Sequence, residues 1–172
     1  TRTDIQDAAW VLTHLDCRAL TVTDSSGQTL TISRPLRRVV VFSGEALETL
    51  RSLGFDMDKV VAVDKYSHAK TTFFPECAGK ENVGSWLSPD MERLLTLKPD
   101  AVFLYATITV ATCDEIQQKL EASIPDIRVL RFDCFKPATY PGEIRTIAAV
   151  TGCEDRGDEF ARFYTGVMDG IR

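Results

Sequence analysis

The sequence predicts a three-layer α/β lobe with a mainly parallel sheet, an edge β-hairpin and a long C-terminal helix. Three observations carry that expectation. Short apolar runs at residues 39–42, 60–63, 101–104 and 127–132 have the length and composition of strands buried on both faces. Segments with helical apolar spacing separate them, and strand–helix alternation through residues 39–150 calls for a parallel sheet with helices on both sides and right-handed crossovers. Finally, Phe160, Phe163, Tyr164, Val167, Met168 and Ile171 form one apolar stripe on a helix running from about Gly157 to the end of the chain. At 172 residues the chain can bury one good core, and two full domains are not expected.

Residues 1–19 read as a leader helix, a remnant of a preceding module. Thr3 and Gln6 pair as a capping box, and Ile5, Ala8, Ala9, Leu12 and Leu15 share a face. Residues 20–152 form the lobe. Leu20-Thr-Val-Thr and Thr29-Leu-Thr-Ile alternate with period two around Asp-Ser-Ser-Gly-Gln, which predicts a hairpin with Gly27 in its loop. After the first buried strand, Ser43 and Gly44 open a helix with Ala46, Leu47, Leu50 and Leu53 inward, closed by Gly54. Residues 64–70 are polar and loop-like, and Phe73, Phe74 and Pro75 suggest a short packed turn.

The central stretch, residues 83–104, predicts a loop, a short helix, a turn and a buried strand. Ser88 is the expected N-cap, Pro89 the first helical residue, and Asp90 a favourable charge in the first turn. Met91, Leu94 and Leu95 make the buried stripe, Glu92 points off it toward solvent, and Pro99 stops the helix at Lys98. A capping box of Thr112 and Glu115 opens the next helix, with Cys113, Ile116 and Leu120 inward. Tyr140-Pro-Gly leads into a helix bearing Ile144, Ile147 and Ala148 that ends near Gly152.

Composition narrows the function. A net charge of −5 leaves no basic footprint for nucleic acid, and no apolar run is long enough to span a membrane as a helix. The opening Thr-Arg-Thr-Asp has neither Met nor a signal peptide and reads as a cut or mature piece. The five cysteines, Cys17, Cys77, Cys113, Cys134 and Cys153, contain no Cys-x-x-Cys pair, so buried free thiols are expected; one disulfide stays open for an extracytoplasmic protein.

In an open parallel sheet, ligands bind beyond the carboxyl ends of the strands. Here those ends supply Phe42-Ser43-Gly44, Asp64 to His68, Gly84 to Ser88, Tyr105 to Thr107 and Asp133 to Phe135. Tyr66, Trp86 and Tyr105 are candidates to stack on a flat ligand, and Ser43 and Ser85 to hold oxygen atoms. The rim is expected to be uncharged or mildly polar, which suits a large chelate more than a naked phosphate. There is no Gly-x-Ser-x-Gly elbow, Walker loop or Gly-x-Gly-x-x-Gly turn. With His14 and His68 the only histidines, a histidine-based triad is not expected, so no catalytic residue is assigned.

Gly84-Ser-Trp, Ser88-Pro-Asp-Met-Glu-Arg-Leu-Leu and Leu97-Lys-Pro-Asp-Ala-Val resemble the N-terminal lobe of class III periplasmic binding proteins of ABC importers. The likeness extends upstream to the hairpin and Arg38-Val-Val-Val, and downstream through Gly142-Glu-Ile-Arg, covering roughly Leu20 to Arg172. It implies an extracytoplasmic protein whose ligand is a ferric siderophore, heme or cobalamin, with no further cofactor. It also implies that residues 153–172 begin the helix joining two lobes, the second being absent, and that Glu92 docks on arginines of the membrane permease. Members that bind bare zinc or manganese carry histidine after the first strand; Phe42-Ser-Gly stands there instead, so no direct metal site is implied. The exposed stripe of the last helix would favour self-association of this piece. A small Rossmann-like or flavodoxin-like enzyme or cofactor-binding domain stays open as the alternative. Residues 3–7, finally, resemble the back half of a dockerin-type calcium loop with Asp7 as last ligand, but the ligand-rich front half is missing and no calcium site is expected.

Overall fold

A computed structural model describes residues 19–33 and 35–171. The leader helix, with Asp7, His14 and Cys17, lies outside the described residues. The core is a five-stranded parallel sheet of β3 (Val39–Val41), β4 (Val60–Val63), β5 (Glu81–Asn82), β8 (Ala101–Leu104) and β9 (Arg128–Arg131). Its order is β5-β4-β3-β8-β9. The hairpin, β1 (Ala19–Thr23) with β2 (Thr29–Ser33), is a separate antiparallel pair. It sits beside edge strand β9, tied there by Ser25 N–H to Arg131 O at 3.0 Å and by Arg131 N–H to Asp24 Oδ2 at 3.0 Å.

Strand periodicity divides the core in two. Val39, Val41, Val63, Phe103 and Leu130 face one side, against α1 (Gly44–Ser52), α5 (Tyr140–Thr151) and α6 (Glu154–Ile171). Val40, Ala62, Val102, Leu104 and Val129 face the other, against α3 (Met91–Leu97) and α4 (Val110–Ser123). Each fully buried valine or leucine stabilises this packing by about 1.5–3 kcal/mol. On the first side the α6 backbone packs directly on the Ala148 side chain of α5: a Cβ added to Gly157 would stand 2.3 Å from the Ala148 Cβ. Helix α6 starts at Glu154, one turn earlier than its apolar stripe suggests.

Several local expectations need correction. Ser88 and Pro89 do not open a helix; they form β7 (Ser88–Pro89), paired with β6 (Gly84–Ser85), and Asp90 is the N-cap, accepting from Arg93 N–H at 2.9 Å. Two capping residues compete in this stretch, and the pairing of Ser88 and Pro89 with the first strand decides between them. Gly84 permits that pairing through its φ of +80°, in space where a Cβ would meet Ser88 O at 2.7 Å. Leu95 is exposed, because α3 spans only two turns and Leu94 alone is fully buried. Residues 65–69 are not loop but a short helix, α2 (Lys65–Ala69), because Asp64 caps it with bonds from Tyr66 N–H and Ser67 N–H. Helix α4 opens at Val110, ahead of Thr112, so the expected capping box lies inside it. Of the α6 stripe, Phe160 and Tyr164 pack on Tyr140, whereas Phe163, Val167 and Ile171 are exposed at 67, 45 and 75 %.

Candidate functional site

The carboxyl ends of β3, β4 and β8, with the β6–β7 hairpin, open onto a cleft of about 600 Å³. Trp86, at the hairpin tip, stands between two tyrosines. Its ring centroid is 5.7 Å from that of Tyr66 and 5.1 Å from that of Tyr105, the latter edge to face. The hairpin is held from below by Asn82 Oδ1, which accepts from Gly84 N–H, and by Val83 O, which accepts from Asp90 N–H, both at 2.9 Å. A rigid turn thus presents a large flat side chain, the geometry a stacking site requires. Trp86 Nε1–H is buried and has no acceptor among the described residues.

The other walls come from α1 and from residues 70–74. Phe73 and Phe74 pack edge to face at 5.0 Å, and the Arg51 guanidinium lies 4.8 Å from the Phe74 centroid while donating to Phe73 O at 3.0 Å. Glu45 and Glu48, three residues apart on α1, bring carboxylates to the cleft. Tyr105 donates its hydroxyl to Glu45 Oε2 at 2.9 Å. Burial, then the Glu45 charge, pushes the Tyr105 phenol far above the ordinary tyrosine range, so it remains a neutral donor. The rim is therefore acidic and aromatic, not the uncharged or mildly polar surface expected from sequence. The signal was present in the Glu45/Glu48 spacing directly after the first strand, but a charged i, i+3 pair reads equally well as a solvated helix face.

Tyr66, Trp86 and Tyr105 converge on the cleft, whereas Ser43 and Ser85 do not line it. Ser43 is buried and spends its Oγ accepting from Ala46 N–H at 3.1 Å as the α1 cap; Ser85 Oγ accepts from Ser88 N–H at 3.3 Å inside the hairpin. Phe42 and Ser67, from the strand ends named in the sequence, also line the cleft, and Glu45, Glu48, Lys70, Phe73 and Phe74 line it from outside those ends. Glu92 is exposed on α3 with no ion-pair partner among the described residues, while its neighbour Arg93 is engaged by Glu81 at 3.1 Å and Asp90 at 3.7 Å. Among the described residues no group of three or more His, Cys, Asp or Glu could hold a metal ion, and no helix is long and apolar enough to cross a membrane. The four described cysteines, Cys77, Cys113, Cys134 and Cys153, are free thiols, and burial raises that of Cys77 to about 11.

Behind Tyr105, Asp133 ties the loop after β8 to the loop after β9. Its Oδ1 accepts from Ala106 N–H and Thr107 N–H, both at 3.0 Å, and its Oδ2 from the Thr107 hydroxyl at 2.6 Å and Lys136 Nζ at 2.9 Å. Burial alone would raise this carboxyl, but the bonds from Thr107, Lys136 and Ala106 outweigh it and hold the pKa below the usual aspartate range. The unfolded chain therefore binds the proton first as pH falls. Stability from Asp133 is complete above about pH 4 and is lost as pH drops through the lower folded value. Melting temperatures between about pH 5 and pH 3 should fall less steeply in Asp133→Asn than in the parent. Equal acid slopes for the two proteins would show that Asp133 does not carry this linkage.

Comparison with known proteins places this geometry in context. Residues 39–172 match the family described as Periplasmic binding protein. An uncharacterized ABC transporter substrate-binding lipoprotein of Bacillus subtilis, YvrC, is 27% identical over 143 residues, covering 83% of this chain and 43% of that protein. Among solved structures, a periplasmic solute binding protein from Veillonella parvula superposes with a TM-score of 0.71 at 15% identity, over 87% of this chain and 46% of its own. The petrobactin-binding protein YclQ of Bacillus subtilis superposes with a TM-score of 0.68 at 22% identity, over 88% and 52%. The chain thus spans about half the length of the relatives it matches.

Proposed function

Because this chain belongs to the periplasmic binding protein family, we propose that its aromatic cleft is one wall of a solute site. The protein that carries this lobe works outside the cytoplasm, receives a metal chelate such as a ferric siderophore, heme or a corrinoid, and hands it to an ABC importer permease. The observation that carries this reading is the Tyr66–Trp86–Tyr105 cluster at the carboxyl ends of the parallel strands. It offers flat area for a bulky ligand. YclQ, with the same fold, is a petrobactin-binding protein, and YvrC is a substrate-binding lipoprotein, which supports binding and delivery over catalysis.

Glu92 is the docking residue in this reading. It is exposed, and its neighbouring cation Arg93 is engaged by Glu81 and Asp90, which leaves the Glu92 carboxylate without an ion-pair partner among the described residues. An exposed carboxylate facing guanidinium groups contributes orientation and association rate more than affinity. Two variants separate cleft from dock in the protein that carries this lobe. Trp86→Ala should weaken chelate binding about tenfold or more, since an aromatic stack contributes about 1.5 kcal/mol beyond its buried area. Glu92→Ala should leave chelate binding and melting temperature as they are and lower cellular uptake, most visibly at low salt. Wild-type uptake by Glu92→Ala would remove the docking role; wild-type binding by Trp86→Ala would remove the cleft.

A further inference from the structure

Resting on the reading of the cleft as a chelate site, we infer that this lobe selects neutral and cationic metal chelates and disfavours polyanionic ones. The charged groups lining the cleft are Glu45, Glu48 and Asp64 against a single ammonium, that of Lys70. No arginine lines it: Arg51, the nearest by sequence, is turned onto Glu76 at 2.8 Å and onto Phe73 O. The Asp64 carboxylate is occupied by Tyr66 N–H, Ser67 N–H and the Ser67 hydroxyl, so it acts on a ligand through its field alone. Glu48 is exposed and has no hydrogen bond or ion pair among the described residues, which leaves a whole carboxylate for an incoming cation.

The aromatic rings reinforce the same sign. The faces of tryptophan and tyrosine carry negative quadrupole potential and attract cations, and Tyr66 already holds Lys65 Nζ 4.9 Å from its centroid. That lysine lies on the rim and offsets part of the acidic field without reversing it. A polyanionic chelate entering here would meet three carboxylates and the ring faces with two lysines in return, Lys70 in the lining and Lys65 on the rim, and like-charge juxtaposition in a half-desolvated cleft is unfavourable.

The test compares three ferric chelates that differ in charge: cationic ferrioxamine B, neutral ferrichrome and trianionic ferric enterobactin. Each is titrated into the protein that carries this lobe at low salt, with tryptophan fluorescence as readout. The cation and the neutral chelate should bind at least about tenfold more tightly than the trianion. In Glu45→Gln/Glu48→Gln, shown to be folded by circular dichroism, that gap should narrow about threefold or more, chiefly through weaker binding of the cation. In the unmodified chain, added salt should weaken the cation and strengthen the trianion, a readout that needs no variant. A trianion bound as tightly as the others overturns the charge rule and leaves the chelate reading standing. Absence of binding by all three overturns the chelate reading and the charge rule with it.

Discussion

Glu143→Ala should lower the unfolding free energy by about 4 kcal/mol, read as a shift of the urea midpoint at unchanged slope. Glu143 is buried on α5 and accepts three bonds: from the Ser25 hydroxyl at 2.5 Å, Asp133 N–H at 2.9 Å and Cys134 N–H at 2.8 Å. One carboxylate thereby joins the hairpin turn, the turn after β9 and the first turn of α5. Cys134 sits at φ +59°, in the left-handed region where a side chain is strained, and the bond to its N–H helps hold it there. Removal orphans two buried backbone donors, each costing about 1–3 kcal/mol, together with a hydroxyl. Glu143→Gln keeps one acceptor oxygen and should lose about half as much. A loss under about 1 kcal/mol for the alanine variant would mean that water replaces the carboxylate and that the clamp is dispensable.

The isolated lobe should bind ferric siderophores, heme and cobalamin no more tightly than about 1 µM by calorimetry. The cleft has walls on one side only, from α1, α2, residues 70–74 and the Trp86 hairpin, and faces solvent on the other. Deep pockets bury most of a ligand's surface, and a half-walled one forgoes a large share of the contacts, each 1.4 kcal/mol of which is tenfold in affinity. Submicromolar binding by a monomer would show that this wall alone suffices. The exposed Phe163, Val167 and Ile171 make the monomer condition necessary, because association through α6 would supply a second wall by another route.

Much of this architecture is legible in the sequence for a simple reason. Residues such as Val39, Val40 and Val41 are buried on both faces of the sheet, so their composition alone marks a central parallel strand. The position of the cleft follows from the same sheet, since strand carboxyl ends gather in one place whatever the loops do. Local starts were less readable. Ser88 and Asp90 both have capping chemistry, and only the pairing of residues 84–85 with 88–89, non-adjacent in local propensity, selects Asp90. Ser43 and Ser85 looked like ligand contacts because a hydroxyl at a strand end serves a ligand and a backbone N–H equally well; here the backbone takes both. Glu45 and Glu48 illustrate the opposite error, since helical charge reads as solvated until the orientation of α1 across the sheet is known.

Helix α6 is held most firmly over its first half. Its root is packed where Gly157 meets Ala148, with no room for a Cβ at Gly157, and where Ala161 is fully buried. From Ala161 to Ile171 the helix advances about 15 Å, with Phe163, Val167 and Ile171 bare along its outer side. A helix packed along its first half turns a small rotation there into a larger displacement at Ile171. Force applied near Ile171 therefore bears on the α5 contact first, and through α5 on Glu143 and the turn after β9. The mechanical path from the tip of α6 leads to the same edge of the sheet that supports Tyr105.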